Sequence, residues 1–129
     1  MKILESGEMY LETILILSKK NPYVRSLDIA EEMNYSKPSV SRAVNILKDN
    51  NYISIDKNGH IKLLEKGLET ATKIYERHVV VTECLVKLGV SQTQAETDAC
   101  KIEHVLSDES FKAIKNHLEK YKNGEVKTH

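Results

Sequence analysis

Ser36-Lys37-Pro38-Ser39-Val40-Ser41-Arg42-Ala43-Val44-Asn45-Ile46-Leu47 is the stretch whose reading decides the fold. Ser36 is a ready N-cap, and Pro38 is tolerated in a first helical turn because the N–H it lacks would have no partner there. Val40, Val44 and Leu47 recur at helical spacing and form one inward stripe. Lys37, Ser39, Ser41, Arg42 and Asn45 are left facing outward, and their side chains suit phosphates and base edges.

Just upstream, Asn34 tolerates the left-handed conformation that a helix exit needs, one residue before Tyr35 and the Ser36 cap. The preceding helix is short, with Ser26 read as its cap, Asp28 favoured in its first turn by the helix dipole, and Leu27, Ala30 and Met33 inward. Two helices joined this tightly read as a helix-turn-helix. Further upstream, Tyr10, Leu11, Ile14, Leu15 and Leu17 predict a helix over about Glu5 to Lys20, ended by Asn21-Pro22.

Downstream the period changes from helical to alternating. Tyr52-Ile53-Ser54-Ile55 and His60-Ile61-Lys62-Leu63 flank Asp56-Lys57-Asn58-Gly59, whose Asn-Gly pair predicts a tight hairpin turn. This hairpin reads as a wing. From Asn34 to Leu63 there are five basic residues (Lys37, Arg42, Lys48, Lys57, Lys62) against Asp49 and Asp56, a surplus of three in a chain whose net charge is zero. The positive charge therefore gathers where a duplex would dock. A helix-turn-helix pattern alone also describes two ordinary core helices; the hairpin and the charge favour the DNA reading, with Lys57 at the wing tip.

The second half reads as three helices. A long one over about Glu65 to Leu88 has the seam Leu68, Ala71, Tyr75, His78, Thr82, Leu85 and is closed by Gly89. Ser91, with Gln94 as the second half of a capping box, starts another that runs to about Leu106, and Ser107 caps a last one from Asp108 to Lys122. Asn123 to His129 read as frayed.

The chain's 129 residues, 40% of them hydrophobic, suffice for a core, and no apolar run approaches the ~20 residues of a membrane span. A cytoplasmic location is expected, with Cys84 and Cys100 reduced. The expected fold class is mainly α: an N-terminal winged helix-turn-helix over residues 1–70, followed by an all-helical dimerisation domain over 71–129.

Chemistry concentrates on the Ser91-capped helix. Glu96, Cys100, Glu103 and His104 fall at i, i+4, i+7 and i+8, which lines four potential ligands along adjacent turns of one face. Thiolate, carboxylate and imidazole together suit a borderline divalent transition ion, with His78 of the preceding helix within the same reading. Singly, each residue also has a bland role, a cysteine as a small hydrophobe or a histidine as a satisfied core residue.

Three segments carry a family resemblance: Gly7-Glu8-Met9-Tyr10-Leu11-Glu12; Asp28-Ile29-Ala30 ahead of Ser36-x-Pro38-Ser39-Val40-Ser41; and Ala99-Cys100-Lys101-Ile102-Glu103-His104-Val105-Leu106-Ser107-Asp108. The chain resembles, over nearly its whole length, the diphtheria toxin repressor and manganese transport regulator family. The resemblance implies a homodimeric repressor on a double-stranded DNA operator, with a divalent metal as co-repressor, controlling metal uptake. It places Met9, Cys100, Glu103 and His104 at a primary metal site, and methionine and cysteine there match the iron-responsive branch. Glu12 and His78 match ligand positions of the manganese branch, Glu96 stands where the iron branch has a histidine, and Thr82 stands where a glutamate is expected one turn after His78. Beside the resemblance, the recognition-helix and wing reading makes Ser36, Lys37, Pro38, Ser39, Ser41, Arg42 and Lys57 the candidate DNA contacts, although Lys37 and Arg42 also fit a merely solvated helix face. Fe2+ is the first expectation for the ion and Mn2+ the next, in a two-domain form that stops before an SH3-like domain. Two rival readings exist: a metal-independent winged-helix regulator sensing redox state through Cys100, and a metal enzyme in which the ion activates water. The enzyme reading gives the first-helix and wing features no role, so no enzyme is expected.

Overall fold

The computed structural model describes residues 5–122, and side chains from 6 to 121. The order of elements is α1 (Glu5–Lys20), α2 (Ser26–Met33), α3 (Lys37–Asp49), β1 (Ile53–Ile55), β2 (Ile61–Leu63), α4 (Glu65–Lys87), α5 (Gln92–Val105) and α6 (Asp108–Lys122). The chain divides into two compact units, Met1–Lys73 and Ile74–His129. The tail reading of Asn123 to His129 lies outside the described residues.

In the first unit α1, α2 and α3 pack on one another, α1 also contacts β2, and α3 contacts β1. Leu11, Ile14, Ile29, Val40, Val44 and Ile53 are fully buried. Each such side chain contributes about 1.5–3 kcal/mol of hydrophobic stabilisation relative to exposure. Asn34 takes φ 57° at the exit of α2, and its N–H bonds the carbonyl of Ala30. Ser36 caps α3 by accepting from the Ser39 N–H at 3.3 Å.

The start of α2 differs from expectation. Arg25, not Ser26, is the N-cap, and the Asp28 carboxylate accepts the Arg25 N–H at 2.8 Å, so the carboxylate three residues in does the capping. Ile29 and Ala30 face inward, whereas Leu27 is 48% exposed.

The wing is a two-stranded antiparallel sheet in which Ile53 pairs with Leu63 and Ile55 with Ile61. Its tip is not a two-residue turn. The Gly59 N–H bonds the Asp56 carbonyl and the Asp56 N–H bonds the His60 carbonyl, each at 3.0 Å, while Gly59 has φ 80° and Asn58 has no positive φ. That is a four-residue turn followed by a glycine bulge, so Gly59 alone supplies the left-handed residue. On the other edge of β2 the Ile61 N–H bonds the carbonyl of Val24 at 2.7 Å, which joins the segment before α2 to the wing.

The opening of α4 touches the wing's root. A Cβ on Gly67 would lie 2.0 Å from the carbonyl oxygen of Tyr52, so only glycine fits this approach, and the Leu64 N–H bonds the same oxygen at 3.0 Å. The inward stripe accordingly runs through Gly67, Ala71 and Ile74, and the predicted seam residue Leu68 is 47% exposed.

In the second unit Ile74, Val81, Ala95, Ala99, Phe111 and Leu118 are buried. Ser91 accepts the Gln94 N–H at 3.3 Å, but the Gln94 side chain donates to Asp98 instead of completing the capping box. Ser107 accepts the Ser110 N–H at 3.0 Å and caps α6 as expected.

Candidate functional site

The donor-bearing face of α5 begins with Cys100, which is half-buried. One turn on, Glu103 is fully buried, and the imidazole of His104 is also without exposure. Burying a carboxyl group is costly unless it is paired, so its partners matter. Oε2 accepts from Nδ1 of His78 on α4 at 2.9 Å. Oε1 has no hydrogen-bond partner among the described residues, although Nε2 of His104 lies 3.4 Å away.

The residue next to His78 grips the same place from behind. Arg77 is buried, and its Nη1 donates to the carbonyls of Glu103 and Leu106 while Nη2 donates to the Asp108 carboxylate. Arg77 also lies over the Phe111 ring, 5.3 Å from its centroid. A guanidinium so placed satisfies the last carbonyls of α5, which have no partner within the helix, and ties them to the first turn of α6. Glu103 is thus held at its backbone by Arg77 and at its carboxylate by His78. Sequence reasoning missed Arg77, because a basic residue on a long amphipathic helix carries no signal of burial.

This arrangement has a definite chemical capacity. A thiol, a carboxylate and an imidazole stand on consecutive turns, and one buried carboxylate oxygen has no hydrogen-bond donor among the described residues. A divalent transition ion fits such a set, because it supplies the positive charge that the oxygen lacks and accepts soft and borderline donors alike. Thr82, one turn after His78, is buried, its hydroxyl has no hydrogen-bond partner among the described residues, and it offers no charge to an ion. Glu96 is exposed and accepts from the Gln92 amide at 2.9 Å. On α1, Met9 is half-buried and Glu12 is buried.

The candidate DNA face belongs to the first unit. Lys37, Pro38, Ser41 and Arg42 are exposed on α3, as are the Ser36 cap and Lys57 at the wing tip, while Ser39 is half-exposed. Ser39 is also engaged at the cap, where its hydroxyl accepts from that of Ser36 at 2.8 Å. Tyr35, between α2 and α3, packs edge-to-face on Tyr10 of α1 with ring centroids 6.1 Å apart. Burial, and then the neighbouring Tyr35, raise the Tyr10 phenol above its ordinary value of 10.0, with Arg42 acting in the opposite direction.

No described helix is long and apolar enough to cross a membrane. Residues 2–61 match the model of the iron dependent repressor N-terminal DNA binding domain, and residues 64–125 match that of the iron dependent repressor metal binding and dimerisation domain. An uncharacterized HTH-type transcriptional regulator of Methanocaldococcus jannaschii is 34% identical over 92% of this chain and 96% of its own length. The iron-dependent repressor IdeR of Mycobacterium tuberculosis is 28% identical over 84% of this chain, which spans only 47% of that protein. Among solved structures, the manganese regulator SloR superposes with a TM-score of 0.78 at 28% identity, covering 88% of this chain and 53% of that one. The metal-dependent transcriptional regulator MtsR gives 0.81 at 25% identity, covering the same shares. With both halves matched in order and a relative similar from end to end, this chain belongs to the iron-dependent repressor family, whose members are metal-dependent DNA-binding transcriptional repressors and not enzymes.

Proposed function

We propose that this chain is a cytoplasmic, homodimeric repressor that binds a double-stranded DNA operator when a divalent ion, Fe2+ first and Mn2+ next, occupies Met9, Cys100, Glu103 and His104, and that it controls metal-ion uptake. The observation that carries the reading is Glu103, a fully buried carboxylate with one oxygen held by His78 and the other without a hydrogen-bond partner among the described residues. A bound cation would supply the partner that this buried oxygen lacks. The soft pair Met9 and Cys100 favours Fe2+ over the harder Mn2+. Glu12, His78 and Glu96 are the donors for a second ion; among them Glu12 and His78 are the better placed by burial.

When bound, the ion supplies a cross-link between α1, which belongs to the DNA-binding half, and α5. Two recognition helices of a dimer must reach major grooves ~34 Å apart, and binding that favours this spacing shifts the population toward it. Ser36, Lys37, Pro38, Ser39, Ser41 and Arg42 then meet the major groove and Lys57 the flanking backbone, a reading supported by their position on or beside the exposed side of α3 and the wing.

The test is an anaerobic titration with Fe2+, Mn2+ and Zn2+ while operator binding is followed by fluorescence anisotropy, the operator having been selected from a random duplex library. Binding should rise with metal in the wild type and show no metal response in His104→Ala. A wild-type affinity that ignores metal would overturn the reading, and a metal response in His104→Ala would remove this ligand set.

A further inference from the structure

The corner where the wing meets the segment before α2 holds a cluster that neither the recognition helix nor the metal ligands account for. Tyr23, 60% exposed, stacks on the His60 ring with centroids 4.3 Å apart and planes at 23°. His60 Nε2 lies 3.1 Å from Nη2 of Arg25, and its Nδ1 lies 3.4 Å from Oδ2 of Asp56. A guanidinium can only donate, so Nε2 is the acceptor and the ring proton sits on Nδ1, facing Asp56. The Asp56 carboxylate also accepts the N–H groups of Asn58 and His60 at 2.8 and 2.9 Å, so the same acid shapes the wing tip and orients the imidazole.

The charge balance of this corner is unusual. An exposed arginine is ordinarily steered by an acid, which cancels its charge. Arg25 is steered by an uncharged ring, and its side chain has no carboxylate partner among the described residues. It keeps a full positive charge, four further N–H donors and a fixed direction, which reduces the entropy lost when it meets a ligand. Lys57 is exposed on the turn that Asp56 organises, so two cations with no carboxylate partner among the described residues flank one corner.

We infer that Arg25 is a phosphate-contacting residue on double-stranded DNA, and that His60, stacked by Tyr23, is the residue that positions it. The inference rests on the DNA-binding reading of the N-terminal half and is independent of which metal, if any, activates the chain.

The experiment measures binding of the full chain to a fluorescein-labelled duplex of arbitrary sequence, ~20 base pairs or two helical turns long, across a series of KCl concentrations. Losing one phosphate contact lowers the slope of log K against log salt by about 0.9 and weakens binding about fivefold at 0.15 M salt. Arg25→Ala should show both changes with an unaltered urea midpoint, and Arg25→Lys should keep the wild-type slope. His60→Ala should weaken binding while retaining more of the slope than Arg25→Ala, because the charge remains but its direction is lost. An Arg25→Ala slope equal to wild type would overturn the inference and leave Arg25 as a solvated surface charge. Failure of the wild-type chain to bind any duplex would overturn the DNA-binding reading as well, whereas a missing metal response would touch only the proposed co-repressor.

Discussion

Replacing Glu103 by glutamine tests whether the buried carboxylate is maintained for a cation. The Glu103 carboxylate is fully buried and its Oε1 has no hydrogen-bond partner among the described residues, a situation that costs about 3 kcal/mol for a charged acceptor when no cation is bound. Against this stands the bond from His78 at 2.9 Å, which loses roughly 1 kcal/mol when its acceptor becomes neutral. Glutamine keeps the shape and the His78 bond, and it removes the charge. With a further ~1 kcal/mol set against it for the buried amide N–H group that replaces Oε1, the balance is a gain of about 1 kcal/mol for the metal-free variant, or about 0.5 M in the urea midpoint. With Co2+, an air-stable stand-in for Fe2+, at 100 times its dissociation constant, the wild type gains about 2.7 kcal/mol and the variant little. The order of stabilities should therefore reverse between EDTA and Co2+ in urea melts followed by circular dichroism. A metal-free Glu103→Gln midpoint at or below wild type would refute the reasoning, because the carboxylate would then be adequately solvated or paired without a cation.

Gly67→Ala should lower stability by about 2–4 kcal/mol, from overpacking against the Tyr52 carbonyl and loss of the Leu64 bond to it, and a urea midpoint within error of wild type would rule out the close approach. Arg42→Ala should weaken operator binding about 5- to 150-fold, as loss of ~1–3 kcal/mol implies, while leaving metal affinity unchanged in calorimetry; equal operator affinity would remove Arg42 from the interface. Met9→Asp combined with Cys100→Glu should make Mn2+ a better activator of operator binding relative to Fe2+, and an unchanged metal preference would count against soft-donor selection. Asp56, held below its ordinary value of 3.8 chiefly by the His60 N–H, contributes stability that is present above that value and lost as pH falls through the lowered one. Asp56→Asn should flatten that part of the acid limb, and an Asp56 carboxyl titrating at or above 3.8 by NMR would contradict the turn geometry.

The helices were largely legible because apolar period and capping chemistry agree, as at Ser36, Ser91 and Ser107, each of which accepts an N–H from three residues on. Two apolar residues misled. In α2, eight residues make barely two turns, so Leu27 and Ile29 compete for the inward face, and Ile29 wins. In α4 the decisive inward position is Gly67, which has no side chain for a hydrophobic pattern to register. The stripe that follows from it leaves Leu68 outside. At the wing tip the Asn-Gly pair marked the turn but not its type, which the Asp56 carboxylate sets by accepting two N–H groups of the loop.

The donors on α5 were legible for a related reason: Cys100, Glu103 and His104 are close in sequence, so helical geometry alone brings them to neighbouring turns. Their supports are of another kind. Arg77 reaches the Glu103 carbonyl across 26 residues, and Arg25 reaches His60 across 35. Neither spacing nor composition in the sequence predicts contacts at that separation for either arginine. Yet they end differently, and the difference follows from their partners. Arg77 is buried among carbonyls and the Asp108 carboxylate, so its Nη1 and Nη2 donors are committed inside the fold and its contribution is to the shape of the α5–α6 corner that carries Glu103. Arg25 is exposed beside an uncharged imidazole, so its donors remain available to an outside anion. Removing Arg77 should therefore act on stability and metal affinity with no change in the salt slope of duplex binding, and removing Arg25 should do the reverse; variants that failed to separate in this way would show that partner chemistry does not distinguish the two roles.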